Sequence, residues 1–206
     1  MDDVRSLKAL QLDALREVAN IGAGHAATAL SQMTGRTTMI SVPEVNVRPL
    51  EDVPELLGAA DSVIAAVLMH MMGDLTGRSL VIFPEQSARM LCDILLRRPE
   101  GTTGAFGEME QSGLKEVGNI LVSAYLTALS DFMGMMLVPS VPSLVVDQAG
   151  AILTTTYLNF GHDRDYVFCV ETAFEVAGSA EQLQGHFLLL PDLPSLRAGL
   201  DAIRVG

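Results

Sequence analysis

One short polar pattern occurs twice, and it constrains this chain more than any other feature. Asp13-Ala14-Leu15-Arg16-Glu17-Val18-Ala19-Asn20 is followed at a distance by Pro43, and Ser112-Gly113-Leu114-Lys115-Glu116-Val117-Gly118-Asn119 by Pro142. Each member of the second copy lies 99 residues after its counterpart, so both read [Asp/Ser]-x3-Glu-x2-Asn-x22-Pro. A single Glu-x2-Asn carries no information, because helix surfaces are full of such pairs. Two copies with matching flanks in 206 residues argue that one structural unit is written twice.

The surroundings of each copy are helical. Over residues 7–34, Leu12, Leu15, Ala19, Gly22, Ala26, Leu30 and Met33 recur at steps of three and four and form an apolar stripe. At 100° per residue, Asp13, Glu17 and Asn20 fall within about 60° of one another on the opposite face. Gly35 is the expected stop. Residues 107–132 repeat the lattice with Leu114, Gly118, Leu121, Tyr125, Leu129 and Phe132, and Gly134 matches Gly35. The first stripe carries Gly22 and Ala26 where the second carries Leu121 and Tyr125. If the two helices pack side by side, the small residues on one accommodate the large ones on the other.

Between and after these helices the chain reads as strands. Thr37 to Pro49 alternates, with Pro43 marking a strand edge or a bend, and Val138 to Pro142 repeats it. Glu51 to Leu57 is compatible with a short helix. Val63–Met72 and Arg78–Phe83 form a hairpin through Gly73-Asp74-Leu75-Thr76-Gly77, as do Tyr166–Val176 and Gln184–Leu190. A helix over Gln86–Leu96 follows Pro84, and one over Leu193–Ile203 follows Pro191. Arg97 to Gly104 is a polar connector. The segment Leu144–Asn159 stays open: Thr154-Thr155-Thr156 favours a strand, while Val145, Ala149 and Ile152 suit a helix. The expected architecture is α+β: a pseudo-twofold, duplicated helix–strands–helix repeat (about 7–98 and 106–206) forming a single domain over 1–206. Hairpin connections make its sheet mainly antiparallel, with two long motif helices.

Composition narrows the partners. A net charge of −12 leaves nothing to neutralise phosphates, which argues against nucleic acid and against an anionic membrane surface. The apolar run Val63–Met72 is too short to cross a bilayer, and Met1-Asp2-Asp3 does not resemble a signal peptide, so a cytoplasmic protein is expected. Cys92 and Cys169 lie far apart in apolar segments and read as buried thiols. His25, His70, His162 and His186 form no i, i+4 pair, so no metal site is expected.

The repeated face has limited chemistry. It has no Ser-His or Cys-His pair and no Gly-rich phosphate loop. An amide can donate to and accept from one water and so fix its direction, and a carboxylate can pair with a cation on a partner. That combination suits hydrolysis of a phosphoryl group activated elsewhere, where positioning and electrostatics dominate. A solvated helix face with no function is the alternative, although asparagine, a mediocre helix former, sits mid-helix twice.

The doubled motif, with Asn20-Ile21-Gly22-Ala23-Gly24-His25-Ala26-Ala27-Thr28-Ala29 after the first copy, resembles the CheC family of chemotaxis phosphatases. The resemblance covers essentially the whole chain, including Gly73-Asp74-Leu75-Thr76-Gly77 and Leu144-Val145-Val146-Asp147. It implies a phosphatase acting on a phosphorylated CheY-type response regulator, with no cofactor of its own and with Mg²⁺ supplied by that regulator. Glu17 and Glu116 would each pair with the regulator's active-site lysine, and Asn20 and Asn119 would each orient the attacking water. Asp13 and Ser112 would support the site, and Pro43 and Pro142 would shape the strand beneath it. The resemblance also implies pairing with CheD, a deamidase, for which the segment around Asp147 is a candidate surface. Two other readings stand beside the phosphatase: a low-activity binding module for CheD or the phosphorylated regulator, and a flagellar-switch component of the FliY kind. The second is disfavoured here because the chain ends at Gly206 with no appended switch-binding domain.

Overall fold

The fold comes from a computed structural model that describes residues 9–42, 44–49, 52–53, 59–158, 166–179, 182–192, 195 and 198. The first motif lies on α1 (Ala9–Thr34) and the second on α3 (Glu108–Met133); both helices are 26 residues long. Each ends at its expected glycine. Gly35 and Gly134 have φ of 68° and 65°, a left-handed conformation that a side chain would disfavour. The Gly35 N–H donates to Ser31 O at 3.0 Å, and the Met135 N–H to Ser130 O at 3.1 Å, so each glycine turn satisfies one carbonyl of the last helical turn.

The strands are β1 (Thr38–Ser41), β2 (Val45–Pro49), β3 (Val63–Gly73), β4 (Gly77–Pro84), β5 (Leu137–Pro139), β6 (Ser143–Gln148), β7 (Tyr166–Val176) and β8 (Leu183–Pro191). They form one eight-stranded sheet in the order β1-β7-β8-β4-β3-β5, with β2 also on β7 and β6 also on β3. Every pairing is antiparallel. The expected fold class and both expected hairpins are therefore present.

The topology adds a feature that periodicity does not contain. The two hairpins meet along β4 and β8, from Gly77 opposite Pro191 to Ile82 opposite His186. The proline-interrupted strands then cross over. β1 and β2 of the first half pair with β7 of the second, and β5 and β6 of the second pair with β3 of the first. Each half thus finishes the sheet of the other, about a pseudo-twofold axis between β4 and β8. Pro142 is half-buried between β5 and β6, where the Ser140 N–H donates to His70 O at 2.9 Å. Pro43 lies outside the described residues.

Two apolar layers flank the sheet. On one face α1, α3 and α2 (Glu85–Leu95) cover Ala65, Val67, Met69, Met71, Val81, Phe83 and Phe187. On the other, α4 (Ala149–Leu158) places Ala149, Ile152 and Leu153 against Ile64, Ala66, Leu80 and Ile82. Strands buried on both faces read as continuous apolar runs, which explains Ile64-Ala65-Ala66-Val67.

The stripes pack as their sizes require. A Cβ added to Gly22 would stand 2.6 Å from Tyr125 Cδ1 and 3.0 Å from Tyr125 Cα, so the missing side chain admits the tyrosine. Tyr125 is fixed in turn by stacking on Phe187, with centroids 4.7 Å apart, and by a 3.2 Å hydrogen bond between its hydroxyl and Thr172 Oγ1. The second helix has its own close approach at Gly118, where a Cβ would meet Val67 Cγ1 at 2.6 Å.

The open segment 144–159 resolves into both of its alternatives in succession. Residues 143–148 are strand and 149–158 are helix, so Val145 is extended and Thr154-Thr155-Thr156 are helical. Burial of Ala149, Ile152 and Leu153 at i, i+3 and i+4 overrides the β-propensity of the threonines. Thr155 Oγ1 bonds Ala151 O at 2.9 Å within the helix. Of the helix expected over Leu193–Ile203, only Ser195 and Ala198 are described, both helical. Of Glu51–Leu57 only Asp52 and Val53 are described; the rest of both segments lies outside the described residues.

Candidate active site

Both motifs face outward from the helical layer. Asp13, Glu17 and Asn20 on α1 are exposed, as are Ser112 and Glu116 on α3, while Asn119 is half-buried. The opposite faces, with Leu15, Val18 and Ala19 on one helix and Leu114, Val117 and Gly118 on the other, are buried. The hydrophobic demand of the stripe thus orients the polar face, because each helix has one rotational setting that buries its apolar side. Glu and Asn at i and i+3 are neighbours on a helix, about 5–6 Å apart at Cβ. Among the described residues, the side chains of Glu17, Asn20, Glu116 and Asn119 make no hydrogen bond or ion pair, so their polar groups are uncommitted within the fold.

Each site is a convex helix surface, and the fold brings the two helices together without merging the motifs. The contact between them is made through Gly22 and Tyr125, on the faces away from the Glu/Asn pairs. An apolar cavity lined by Leu15, Val18, Ala19, Tyr125 and Phe187 lies on the buried side of α1, away from Glu17 and Asn20. A protruding amide and carboxylate suit insertion into a partner's site better than capture of a small molecule. Among the described residues, no group of three or more His, Cys, Asp or Glu side chains is placed to hold a metal ion.

The second site has a support that pattern reading passed over as a polar connector. Asp93 is fully buried on α2. Its Oδ2 accepts from the N–H groups of Gly101 at 2.8 Å and Thr102 at 3.1 Å. Its Oδ1 accepts from Thr102 Oγ1 at 2.9 Å and Thr103 Oγ1 at 2.6 Å. Burial pushes the Asp93 carboxyl up, but the hydrogen bonds from Thr103, Thr102 and Gly101 outweigh it, and the group titrates below its ordinary value. Arg89 adds a 3.0 Å bond to Thr103 O and another to Gly104 O. Arg98 pairs with Glu110 at 2.5 Å in the first turn of α3. The Glu110 carboxyl is held low first by its own backbone N–H and then by Arg98. The connector is therefore pinned to α2 at one end and to the start of α3 at the other, two residues before Ser112. The available signal was a charged residue within the apolar run Leu91-Cys92-Asp93-Ile94, followed eight residues later by Gly-Thr-Thr.

Asp147 lies on β6, exposed, and pairs across the sheet with Ile64. Its neighbours Val145, Val146 and Gln148 are also exposed, so this edge is not core. Cys92 and Cys169 are buried, and burial raises the Cys92 pKa to about 12. No helix among the described residues is long and apolar enough to cross a membrane.

Comparison with known proteins agrees with this geometry. The sequence model of the CheC-like family matches residues 10–47 and 109–146, each time a motif helix and the strand region after it. The chain is 34% identical over 197 residues to the CheY-P phosphatase CheC of Bacillus subtilis (strain 168), covering 95% of this chain and 94% of that one. It is 32% identical over 135 residues to CheC1 of Halobacterium salinarum, across 66% of this chain and 68% of the relative. Among solved structures, Thermotoga maritima FliY has the same fold, with a TM-score of 0.80 at 20% identity over 97% of this chain and 98% of that one. A relative of that identity across nearly the full length, with family matches falling once on each motif helix, shows that the chain belongs to the CheC-like family.

Proposed function

We propose that this chain is a phosphatase that hydrolyses the aspartyl phosphate of a CheY-type response regulator, with one site on each motif helix. The observation that carries the reading is the doubled, outward-facing Glu/Asn pair, uncommitted within the fold, in a chain so similar to a CheY-P phosphatase. On docking, Glu17 or Glu116 pairs with the regulator's active-site lysine and sets the depth and rotation of the helix. Asn20 or Asn119 then holds one water, accepting from it and donating to it, in line with the phosphorus. The water oxygen attacks phosphorus, the bond to the aspartyl oxygen breaks, and the aspartate leaves as carboxylate. The proton lost by the water goes to the released phosphate or to solvent. The regulator brings its own Mg²⁺, which neutralises charge on the phosphoryl oxygens. This chain contributes position and one oriented amide, as phosphoryl transfer requires. Asp13 and Ser112 tune the docking face, and Pro142 divides β5 from β6; Pro43 is its counterpart in the sequence of the first copy.

An orienting donor of this kind is worth about 10²–10³ in rate. Asn20→Ala combined with Asn119→Ala is therefore expected to nearly abolish phosphate release from the phosphorylated regulator, with an unchanged circular dichroism spectrum. Each single variant is expected to keep the other site's activity. Unchanged release by the double variant refutes the mechanism, and a single variant that is already inactive refutes the two-site reading. For CheD, the reading places its contact on the exposed edge strand around Asp147, where exposed Val145 and Val146 supply apolar surface and Asp147 a charge.

A further inference from the structure

Four glycines interrupt the motif helices beyond their first turns, and three have close packing neighbours; at Gly113 a Cβ would stand 3.1 Å from Leu95 Cδ1. Gly22 admits Tyr125, and Gly118 admits Val67, each within 2.6 Å of where a Cβ would stand. Gly24 has neither a packing nor a conformational reason. A Cβ there would meet nothing within 4 Å, and its φ does not lie in the left-handed region. Glycine is among the poorest residues for a helix interior. Nothing within the described fold offsets that cost.

The position of Gly24 supplies an explanation. It lies one helical turn beyond Asn20 and two turns beyond Glu17. At 100° per residue its direction falls between theirs on the same exposed face. We propose that Gly24 is a clearance position of the first site: its bare backbone lets the phosphorylated regulator approach α1 closely enough for Asn20 to reach the phosphoryl group. The inference rests on the phosphatase reading of this face and adds a residue that sets docking depth. At the equivalent position of the second copy, half-buried Ser123 carries a side chain, so the two sites present different surfaces to the same partner. Gly24 is thus a positioning residue that makes the first site the more closely approached of the two.

The test isolates the first site in an Asn119→Ala background and measures steady-state phosphate release from the aspartyl-phosphorylated regulator. Gly24→Ala and Gly24→Leu are compared with Gly24. Both substitutions remove a helix defect, so Tm is expected to rise by about 2–4 °C. The KM for the regulator is expected to rise at the same time, by about tenfold for leucine, because an overfilled contact opposes docking. The alanine variant should lie between, with kcat less affected than KM in both. Higher stability with an unchanged KM overturns the clearance role and leaves the phosphatase reading intact. A fall in Tm overturns it too, since Gly24 would then be structural. Loss of activity in Asn119→Ala alone, with Gly24 in place, overturns the two-site reading and this inference with it.

Discussion

Replacing Gly22 by alanine inserts a methyl group 2.6 Å from Tyr125 Cδ1 and 3.0 Å from Tyr125 Cα. Ordinary carbon contacts lie near 3.5–4.0 Å, so the overlap approaches 1 Å. Tyr125 has little freedom to yield. One contact is to its backbone, its ring is stacked on Phe187, and its hydroxyl bonds Thr172. The two long helices must separate instead. Overpacking of this kind costs about 1–3 kcal/mol, and backbone contact argues for the upper end. Alanine gains about 1 kcal/mol over glycine in a helix interior. The net is a loss of about 2 kcal/mol, or about 4–8 °C in Tm for a chain of this length. Thermal unfolding followed at 222 nm reads this directly. Gly24→Ala in the same helix is the internal control, because it has the same propensity gain with no clash. A Gly22→Ala protein at least as stable as the parent would refute the reasoning, for the close helix approach would then not depend on the absent side chain.

Two other outcomes follow from named contacts. Asp93→Asn keeps the shape but leaves one oxygen to accept from four donors. The new amide can face the Thr102 and Thr103 hydroxyls but not the Gly101 and Thr102 N–H groups, and the expected loss is roughly 1–3 kcal/mol. Because the folded Asp93 pKa is depressed, its contribution is complete above the unfolded value near 4 and is lost as pH falls through the folded value. Stability below about pH 5 should therefore fall less steeply in Asp93→Asn than in the parent by urea titration, and an equal slope would rule out the hub. Charge reversal at Asp147 should weaken CheD binding in a pull-down or calorimetric titration without changing Tm; intact binding removes the edge-strand assignment.

Much of the fold is readable from spacing. An amphipathic helix declares itself because its period is local, and so α1, α3, their outward Glu/Asn faces and their glycine stops follow from residues within a few turns of one another. That small residues on one helix accommodate large ones on the other is also legible, because duplication aligns the two stripes and exposes their size difference; that Gly22 in particular meets Tyr125 is not. Segment 144–159 is different. Thr154-Thr155-Thr156 carry a real β preference, but it is worth less than the burial of Ala149, Ile152 and Leu153 beneath the sheet, and burial is a property of what lies opposite. The Asp93 hub has the same character: a polar connector and a buried acid look unrelated until the chain folds them together.

The sequence by itself determined that there are two motif helices, that each turns its acid and amide away from the core, and that the halves share one plan. Only the tertiary structure decided how those halves join. β1 and β2 pair with β7, and β5 and β6 with β3, so each repeat completes its partner's sheet. Backbone hydrogen bonds at a strand edge are the same for any residue, so no side-chain pattern names the neighbour. Which edge a strand pairs with is a property of the assembled sheet and not of any one strand.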